Sequence, residues 1–269
     1  MKTILITGAT SGIGFETAKA LANPSTQLIL LVRNLEKGAK VKNTIEELKP
    51  GSMIRLIECD FTSLNSIRRA AQEVRTKFKF IDVLINNAGI LNEKYKETKD
   101  GFEETFGVNF LAPFLLTQEL LPLILDNPNL DKRIVNVSSV ANKFGKVDFD
   151  NLQKFSSNQY SNTKLMINLW TMKLARMYPS ISINCLHPGY IKTDIFRNQS
   201  NIFKTITNLF FISPERGAKT TIFLATSDDA RNISGKYFNH CDVVKPNKMS
   251  FDEALQDRLW EVAESMITR

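Results

Sequence analysis

Thr7-Gly8-Ala9-Thr10-Ser11-Gly12-Ile13-Gly14 is the stretch on which the reading of this chain turns. It follows Lys2-Thr3-Ile4-Leu5-Ile6, an apolar run of buried-strand type, and opens Phe15-Glu16-Thr17-Ala18-Lys19-Ala20-Leu21-Ala22, which reads as a helix. Strand, glycine turn, helix is a geometry that holds phosphate. Glycine lacks a Cβ, so the backbone can turn sharply and approach a ligand closely. The helix start beyond it offers unpaired N–H groups and a partial positive charge to a pyrophosphate. The spacing is G-x-x-x-G-x-G rather than the stricter G-x-G-x-x-G, so its place between strand and helix carries the dinucleotide-binding expectation.

Working outward, apolar runs recur with helical patterns between them. Gln27 to Val32 ends at Arg33-Asn34, Met53 to Glu58 at Cys59-Asp60, and Ile81 to Ile85 at Asn86-Asn87-Ala88-Gly89. Arg133 to Val137 ends at Ser138-Ser139, and Ile181 to Leu186 at His187-Pro188-Gly189. Helices are expected over Glu36 to Leu48, Ser63 to Phe78 with Ser63 or Thr62 as cap, Asp100 to Leu125, Asn158 to Met177, and Asp252 to Met266. Pro113 and Pro122 should kink or divide the long one. Another helix starts with Ser213 as cap and Pro214 in first position, and Lys236-Tyr237-Phe238 is a short last strand. Ala141 to Ser157 reads as a loop or short insertion. This alternation predicts an α/β fold in one domain over residues 1–269, a doubly wound parallel sheet covered by helices on both faces. Ligands of such sheets lie outside the carboxyl ends of the strands, where the polar signatures above converge.

Bulk properties narrow the classes. Of 269 residues, 43% are hydrophobic and 23% charged, enough for one substantial core. The net charge of +7 is dispersed, without a basic block or an RNA-binding aromatic signature, so a solvated basic surface is preferred to a nucleic-acid partner. Cys59, Cys185 and Cys241 form no C-x-x-C pair, and with two His residues they complete no zinc pattern; no metal is expected. Cys59 and Cys185 end apolar runs and read as buried thiols, which favours a reducing, cytoplasmic setting. The first strand begins at residue 2, leaving no signal peptide or anchor in this reading, and no apolar run reaches spanning length. Asn136, Asn198 and Asn232 lie in glycosylation-like triplets that read as accidental.

Tyr160 and Lys164 are the central chemical pair. Four residues apart on a helix, they share a face, and a neighbouring ammonium favours phenolate over phenol. Tyr95 and Lys99 have the same spacing in a polar loop, where it carries no such meaning. Ser139, at the end of the fifth strand, would hydrogen-bond a substrate carbonyl; Ser138 competes for that role, since alternation points the two side chains apart. Asn109 needs partners in its helix and would hold a water on a proton path from Lys164. Arg33 ends the second strand, where an acidic residue would bind a ribose 2′-hydroxyl and an arginine suits a 2′-phosphate. NADP(H) is therefore expected ahead of NAD(H).

Together these residues resemble the short-chain dehydrogenase/reductase family over nearly the whole chain, in the order Thr7-Gly8-x-x-x-Gly12-x-Gly14, Asp60, Asn86-Asn87-Ala88-Gly89, Asn109, Ser139, Tyr160-x-x-x-Lys164, and Pro188-Gly189 with Thr193. The resemblance implies a Rossmann-type fold, with Tyr160 as general acid in reduction or base in oxidation and Lys164 on the nicotinamide ribose. It implies Ser139 orienting the carbonyl, Asn109 supporting the proton relay, Asp60 contacting adenine, Asn87 the adenosine side, and Ile191 and Thr193 the carboxamide. Gly8, Thr10, Ser11, Gly12, Ile13, Gly14, Phe61, Ala88, Gly89, Tyr160, Pro188 and Gly189 complete the expected cofactor contacts. Within the family the chain is similar to retinol-dehydrogenase-like members, through Leu31-Val32-Arg33-Asn34, Gly107 to Thr117, Arg133 to Ser139 and Leu259-Trp260-Glu261-Val262.

Tyr190 to Ile212 carries Phe196, Ile202, Phe203, Ile206, Leu209, Phe210 and Phe211. It reads as a lid over a lipophilic substrate, with a peripheral membrane contact, a subunit contact in a homo-oligomer, or core packing as the competing readings. The expected function is an NADP(H)-dependent oxidoreductase moving hydride between nicotinamide and an apolar aldehyde, ketone or alcohol. The alternative is a non-catalytic dinucleotide sensor on the same fold.

Overall fold

The computed structural model describes residues 1–189 and 213–268. Eight strands form one sheet in the order β3-β2-β1-β4-β5-β6-β7-β8. They are β1 (Lys2–Thr7), β2 (Thr26–Val32), β3 (Met53–Glu58), β4 (Val83–Asn86), β5 (Arg133–Val137), β6 (Ser182–His187), β7 (Tyr237–Asn239) and β8 (Asp242–Val243). Every pairing is parallel except the last, where β8 folds back antiparallel on β7. The central strands are apolar on both faces because both are covered: Leu28 to Leu31 and Val83 to Ile85 are all buried.

The helices are α1 (Gly12–Leu21), α2 (Leu35–Leu48), α3 (Leu64–Lys77), α4 (Glu104–Phe106), α5 (Ala112–Leu125), α6 (Gln159–Met177), α7 (Pro214–Thr226) and α8 (Glu253–Ile267). One apolar layer joins α3, α5, α6 and α8 to the sheet, centred on Phe110, Phe114, Trp170 and Trp260. The Phe114 and Trp260 rings meet edge to face at 5.1 Å. The other layer packs α1, α2 and α7 on the opposite face. The caps follow the sequence chemistry: Asn34, Ser63, Ser213 and Asp252 each accept from a backbone N–H in the first turn of the helix they open.

Three expectations need correcting. The long helix does not run from Asp100; it starts at Glu104 and passes through a π-helical turn, Gly107–Leu111, into α5. Ala112 N–H reaches back to Gly107 O. Pro113 follows that turn directly, at the point where the π-helical part gives way to α5, and Pro122 lies inside α5. Secondly, the composite helix Glu104–Leu125 is long and apolar enough to cross a membrane by length and composition, contrary to the sequence reading; most of it is buried against the sheet, as in a core helix. Thirdly, the segment after Ser139 opens with a 3-10 helix, Val140–Phe144, rather than plain loop. The antiparallel β8 was not anticipated. Its turn places the non-glycine residues His240 and Cys241 at φ 51 and 67. The expected 190–212 lid, with Ile191 and Thr193, lies outside the described residues.

Candidate active site

The glycine turn is held from the neighbouring strand. Gly8 and Gly12 adopt φ +69 and +54, left-handed conformations that glycine takes without a Cβ penalty. A Cβ on Gly14 would collide with the Gly8 carbonyl and lie 2.5 Å from Asn87 Nδ2. Asn87 Nδ2 donates to Thr7 O at 2.8 Å and Gly8 O at 3.2 Å. Thr7 Oγ1 accepts from the Asn87 and Ala88 backbone N–H groups, both at 3.0 Å. The Asn87 amide therefore braces the turn. Thr10, Ser11 and Ile13 lie in the turn or the start of α1, a helix with no acidic residue in its first turn and no side-chain cap from Ser11. That N-terminus is open to an anion, which fits the pyrophosphate of a dinucleotide.

Arg33 is exposed at the carboxyl end of β2. At the end of β3, Asp60 Oδ1 accepts from Thr62 N at 3.0 Å and Thr62 Oγ1 at 2.9 Å, and Oδ2 pairs with Lys99 Nζ at 2.9 Å. Partial burial pushes this carboxyl up, but Lys99 and Thr62 outweigh it and hold it below its usual value. Phe61 packs against the core beside it. Lys99 thus serves Asp60, while Tyr95 is exposed and bonded to Glu97; their tyrosine–lysine spacing carries no shared site.

The ends of β4 and β5 meet the π-turn and α6. A methyl built on Gly89 would lie 3.3 Å from Asn109 Oδ1 and 3.6 Å from Lys164 Nζ. Asn109 is buried; its Oδ1 accepts from Ile90 N at 2.7 Å, and its Nδ2 donates to Ile90 O at 2.9 Å and Thr163 Oγ1 at 3.3 Å. A second buried network lies beneath the site. Asn86 Nδ2 donates to Thr117 Oγ1 at 3.0 Å and Asn136 Oδ1 at 2.9 Å, and Asn136 Nδ2 donates to Thr171 Oγ1 at 2.9 Å. Sequence reasoning missed this role for Asn136, whose burial removes it as a glycosylation acceptor.

The two serines part as alternation requires. Ser138 is buried and its Oγ donates to the Lys164 backbone carbonyl at 3.0 Å. Ser139 caps the 3-10 helix by accepting from Ala141 N at 3.2 Å, and its hydroxyl is the neighbouring group that favours the ionised form of the Tyr160 phenol. Lys164 Nζ donates to Val137 O at 2.9 Å and lies 5.5 Å from the centroid of the Tyr160 ring.

The expected electrostatics of this pair differ in one respect. Burial pushes the Tyr160 phenol up to about 12, and the group that lowers it is Ser139, not Lys164. The reason is that the lysine is itself buried, which pushes its ammonium down to about 7, so it is no longer a full point charge near neutrality. His187, the residue before Pro188-Gly189, is a site neighbour the sequence did not single out. It is buried at the end of β6, and burial, then His240, then Lys164 push its imidazole down to about 4, so it is neutral at pH 7. Pro188 and Gly189 end the described segment beside it, with Gly189 at φ +95.

The comparisons with known proteins agree with this geometry. The family profile described as short chain dehydrogenase matches residues 2–202, and the chain belongs to that family. Retinol dehydrogenase 14 of Homo sapiens is 36% identical over 291 residues, covering 99% of this chain and 86% of that protein. A crystal structure of an uncharacterised protein from Mycobacterium Paratuberculosis superposes with a TM-score of 0.79 at 29% identity, covering 100% of this chain and 94% of the other. The Pseudomonas aeruginosa RhlG/NADP active-site complex shares the fold, with a TM-score of 0.71 at 23% identity over 88% of this chain and 93% of the other.

Proposed function

We propose that this oxidoreductase is NADP(H)-dependent and interconverts apolar aldehydes or ketones with their alcohols. The observation that carries the reading is the meeting of three groups from two elements: the Ser139 hydroxyl acting on the Tyr160 phenol, with Lys164 Nζ 5.5 Å from the Tyr160 ring. Three functional groups converging at the carboxyl end of a parallel sheet, beside a phosphate-binding turn, suit carbonyl chemistry better than packing alone.

The nicotinamide dinucleotide, when bound, supplies or accepts the hydride. Gly8, Gly12 and the N–H groups of the first α1 turn would hold its pyrophosphate, and Arg33 its 2′-phosphate. In reduction, the Ser139 hydroxyl orients the carbonyl oxygen and Tyr160 donates its proton to that oxygen as negative charge develops. A phenol that keeps its proton well above neutrality is in the right state to act as an acid. Lys164, fixed by Val137 O, is the group next in line to return a proton. Asn109 holds the Ile90 backbone so that the β4 end keeps its distance from Lys164. The retinol dehydrogenase relatives and the apolar composition of residues 190–212 support a lipophilic substrate.

The test is a panel of aldehydes, ketones and alcohols with NADPH, NADH and their oxidised forms, monitored at the nicotinamide absorbance. The expected result is turnover of apolar members with NADP(H) favoured. Tight NADPH binding without turnover of any member would reject the enzyme reading.

A further inference from the structure

The C-terminal part of the chain reaches the site through two asparagines that belong to none of the motifs above. Asn142 is fully buried in the 3-10 helix next to Ser139. Its Nδ2 donates to Ser139 O at 2.6 Å, and its backbone N–H donates to the same carbonyl at 3.1 Å. Its Oδ1 accepts from the backbone N–H of Asn247 at 2.9 Å, 105 residues further along the chain. Asn247 Nδ2 in turn gathers the carbonyls of Asn142, Lys143 and Gly145 at 3.1, 3.3 and 3.3 Å. Its Oδ1 accepts from Met249 N at 3.0 Å and starts the 3-10 helix Lys248–Phe251, which leads into α8.

The other flank of this turn is fastened to α6. A Cβ on Gly145 would collide with the Ser161 carbonyl and lie 2.7 Å from Leu165 Cβ. Asn158 Nδ2 donates to Phe144 O at 2.9 Å, and Asn162 Oδ1 accepts from Lys146 N at 2.9 Å. The first turns of α6 carry Tyr160. The backbone after Ser139 is therefore held between the helix of the phenol on one side and the C-terminal segment on the other.

We propose that Asn142 and Asn247 form a positioning clamp that fixes the Ser139 hydroxyl relative to the Tyr160 phenol. The inference rests on the oxidoreductase reading above. Its physical basis is that Ser139 sits just past the end of a strand, where its carbonyl ties the residue to the 3-10 turn at 140–144. Both of these hydrogen bonds on the carbonyl come from Asn142, and Asn142 is in turn oriented by Asn247. Reacting groups tolerate little displacement, so loosening this turn should cost turnover well before it costs the fold.

The decisive variant is Asn247→Asp. It keeps the oxygen that caps Met249 but replaces the amide donor to the three carbonyls with a carboxylate oxygen that they repel. Asn142→Ala removes the other half, and the double variant completes a cycle. The expected result for Asn247→Asp is kcat for carbonyl reduction about tenfold lower. NADPH affinity by fluorescence titration should be unchanged. Amide hydrogen exchange, measured by mass spectrometry, should be faster in residues 140–146 and unchanged in the strands. The double variant should be about as impaired as the worse single one, because the pair acts as a unit. An active wild type whose Asn247→Asp variant has the same kcat, or unaltered exchange over 140–146, would overturn the clamp while leaving the oxidoreductase reading intact. A wild type that reduces no carbonyl with either cofactor would overturn both.

Discussion

Lys164 Nζ and the carbonyl oxygen of Val137 are 2.9 Å apart, so the lysine of the Tyr160-x-x-x-Lys164 pair is tied to the end of β5 rather than to the phenol. Burial dominates the electrostatics of both groups. The amine is buried, and this disfavours its charged form even though it donates to Val137 O. The phenol, 5.5 Å away by its ring centroid, is pushed up by burial and lowered by Ser139 rather than by the lysine.

The dinucleotide-free protein should show a pH dependence from this burial. The Lys164 ammonium is pushed down to about 7 from its ordinary 10.5. Below pH 7 both folded and unfolded chains carry the proton, and the cost of burying the charge is at its largest. Between about 7 and 10.5 the folded chain has released a proton that the unfolded chain keeps, so this group's contribution to stability improves as pH rises. Wild type should therefore gain stability relative to Lys164→Met between pH 6.5 and pH 9, as read from urea unfolding midpoints. Parallel behaviour of the two across that range would contradict the burial of an ionisable amine.

The two serines give a second test. Ser139→Ala removes the hydroxyl that meets Tyr160 and should lower kcat by roughly 10²-fold or more. Ser138→Ala removes only a hydrogen bond to the Lys164 backbone and should cost ~1 kcal/mol of stability with turnover largely kept. Steady-state kinetics and melting curves on both variants check the assignment. A reversed pattern would mean that the Ser138 hydroxyl is the working one.

The glycine turn supplies a third. Gly14→Ala introduces a Cβ against the Gly8 carbonyl, with Asn87 Nδ2 2.5 Å away, so neither the turn nor its brace can stay in place. NADPH affinity should fall by at least about tenfold as the backbone shifts to relieve the overlap. Retention of full affinity in a titration would show that the pyrophosphate lies elsewhere.

Cofactor preference turns on Arg33. Arg33→Ala should weaken NADPH by about tenfold or more, the scale of a lost charge-assisted hydrogen bond, and leave NADH nearly unchanged. Equal losses for the two nucleotides would argue against a 2′-phosphate contact at the end of β2.

What the sequence made legible was set by local rules. The strand ends are where polar residues interrupt apolar runs, so Asp60, Asn86 and Ser138 could be placed at one edge of the sheet from the sequence. Capping chemistry named Ser213 and narrowed the other cap to Ser63 or Thr62, of which the structure uses Ser63. The separation of Ser138 from Ser139 needed only the two-residue period of a strand. What escaped were features that depend on distant partners. Asn136 has no role legible in the sequence until Asn86 and Thr171 are seen beside it. The π-turn at Gly107–Leu111 depends on a carbonyl one residue further back than a helix pattern implies. The lysine's weak influence on Tyr160 is a matter of burial, which spacing on a helix face does not report. Asn247 sits 105 residues from the turn it holds, and nothing in its immediate sequence points there.

The central claim is that Tyr160 carries the proton in a reaction whose dinucleotide is bound independently of it. Tyr160→Phe keeps the ring and its packing and deletes one oxygen. Measured with NADPH and the best apolar carbonyl of the panel, the account predicts NADPH affinity within about twofold of wild type and kcat lower by roughly 10²- to 10⁴-fold. Wild-type turnover in that variant would contradict it.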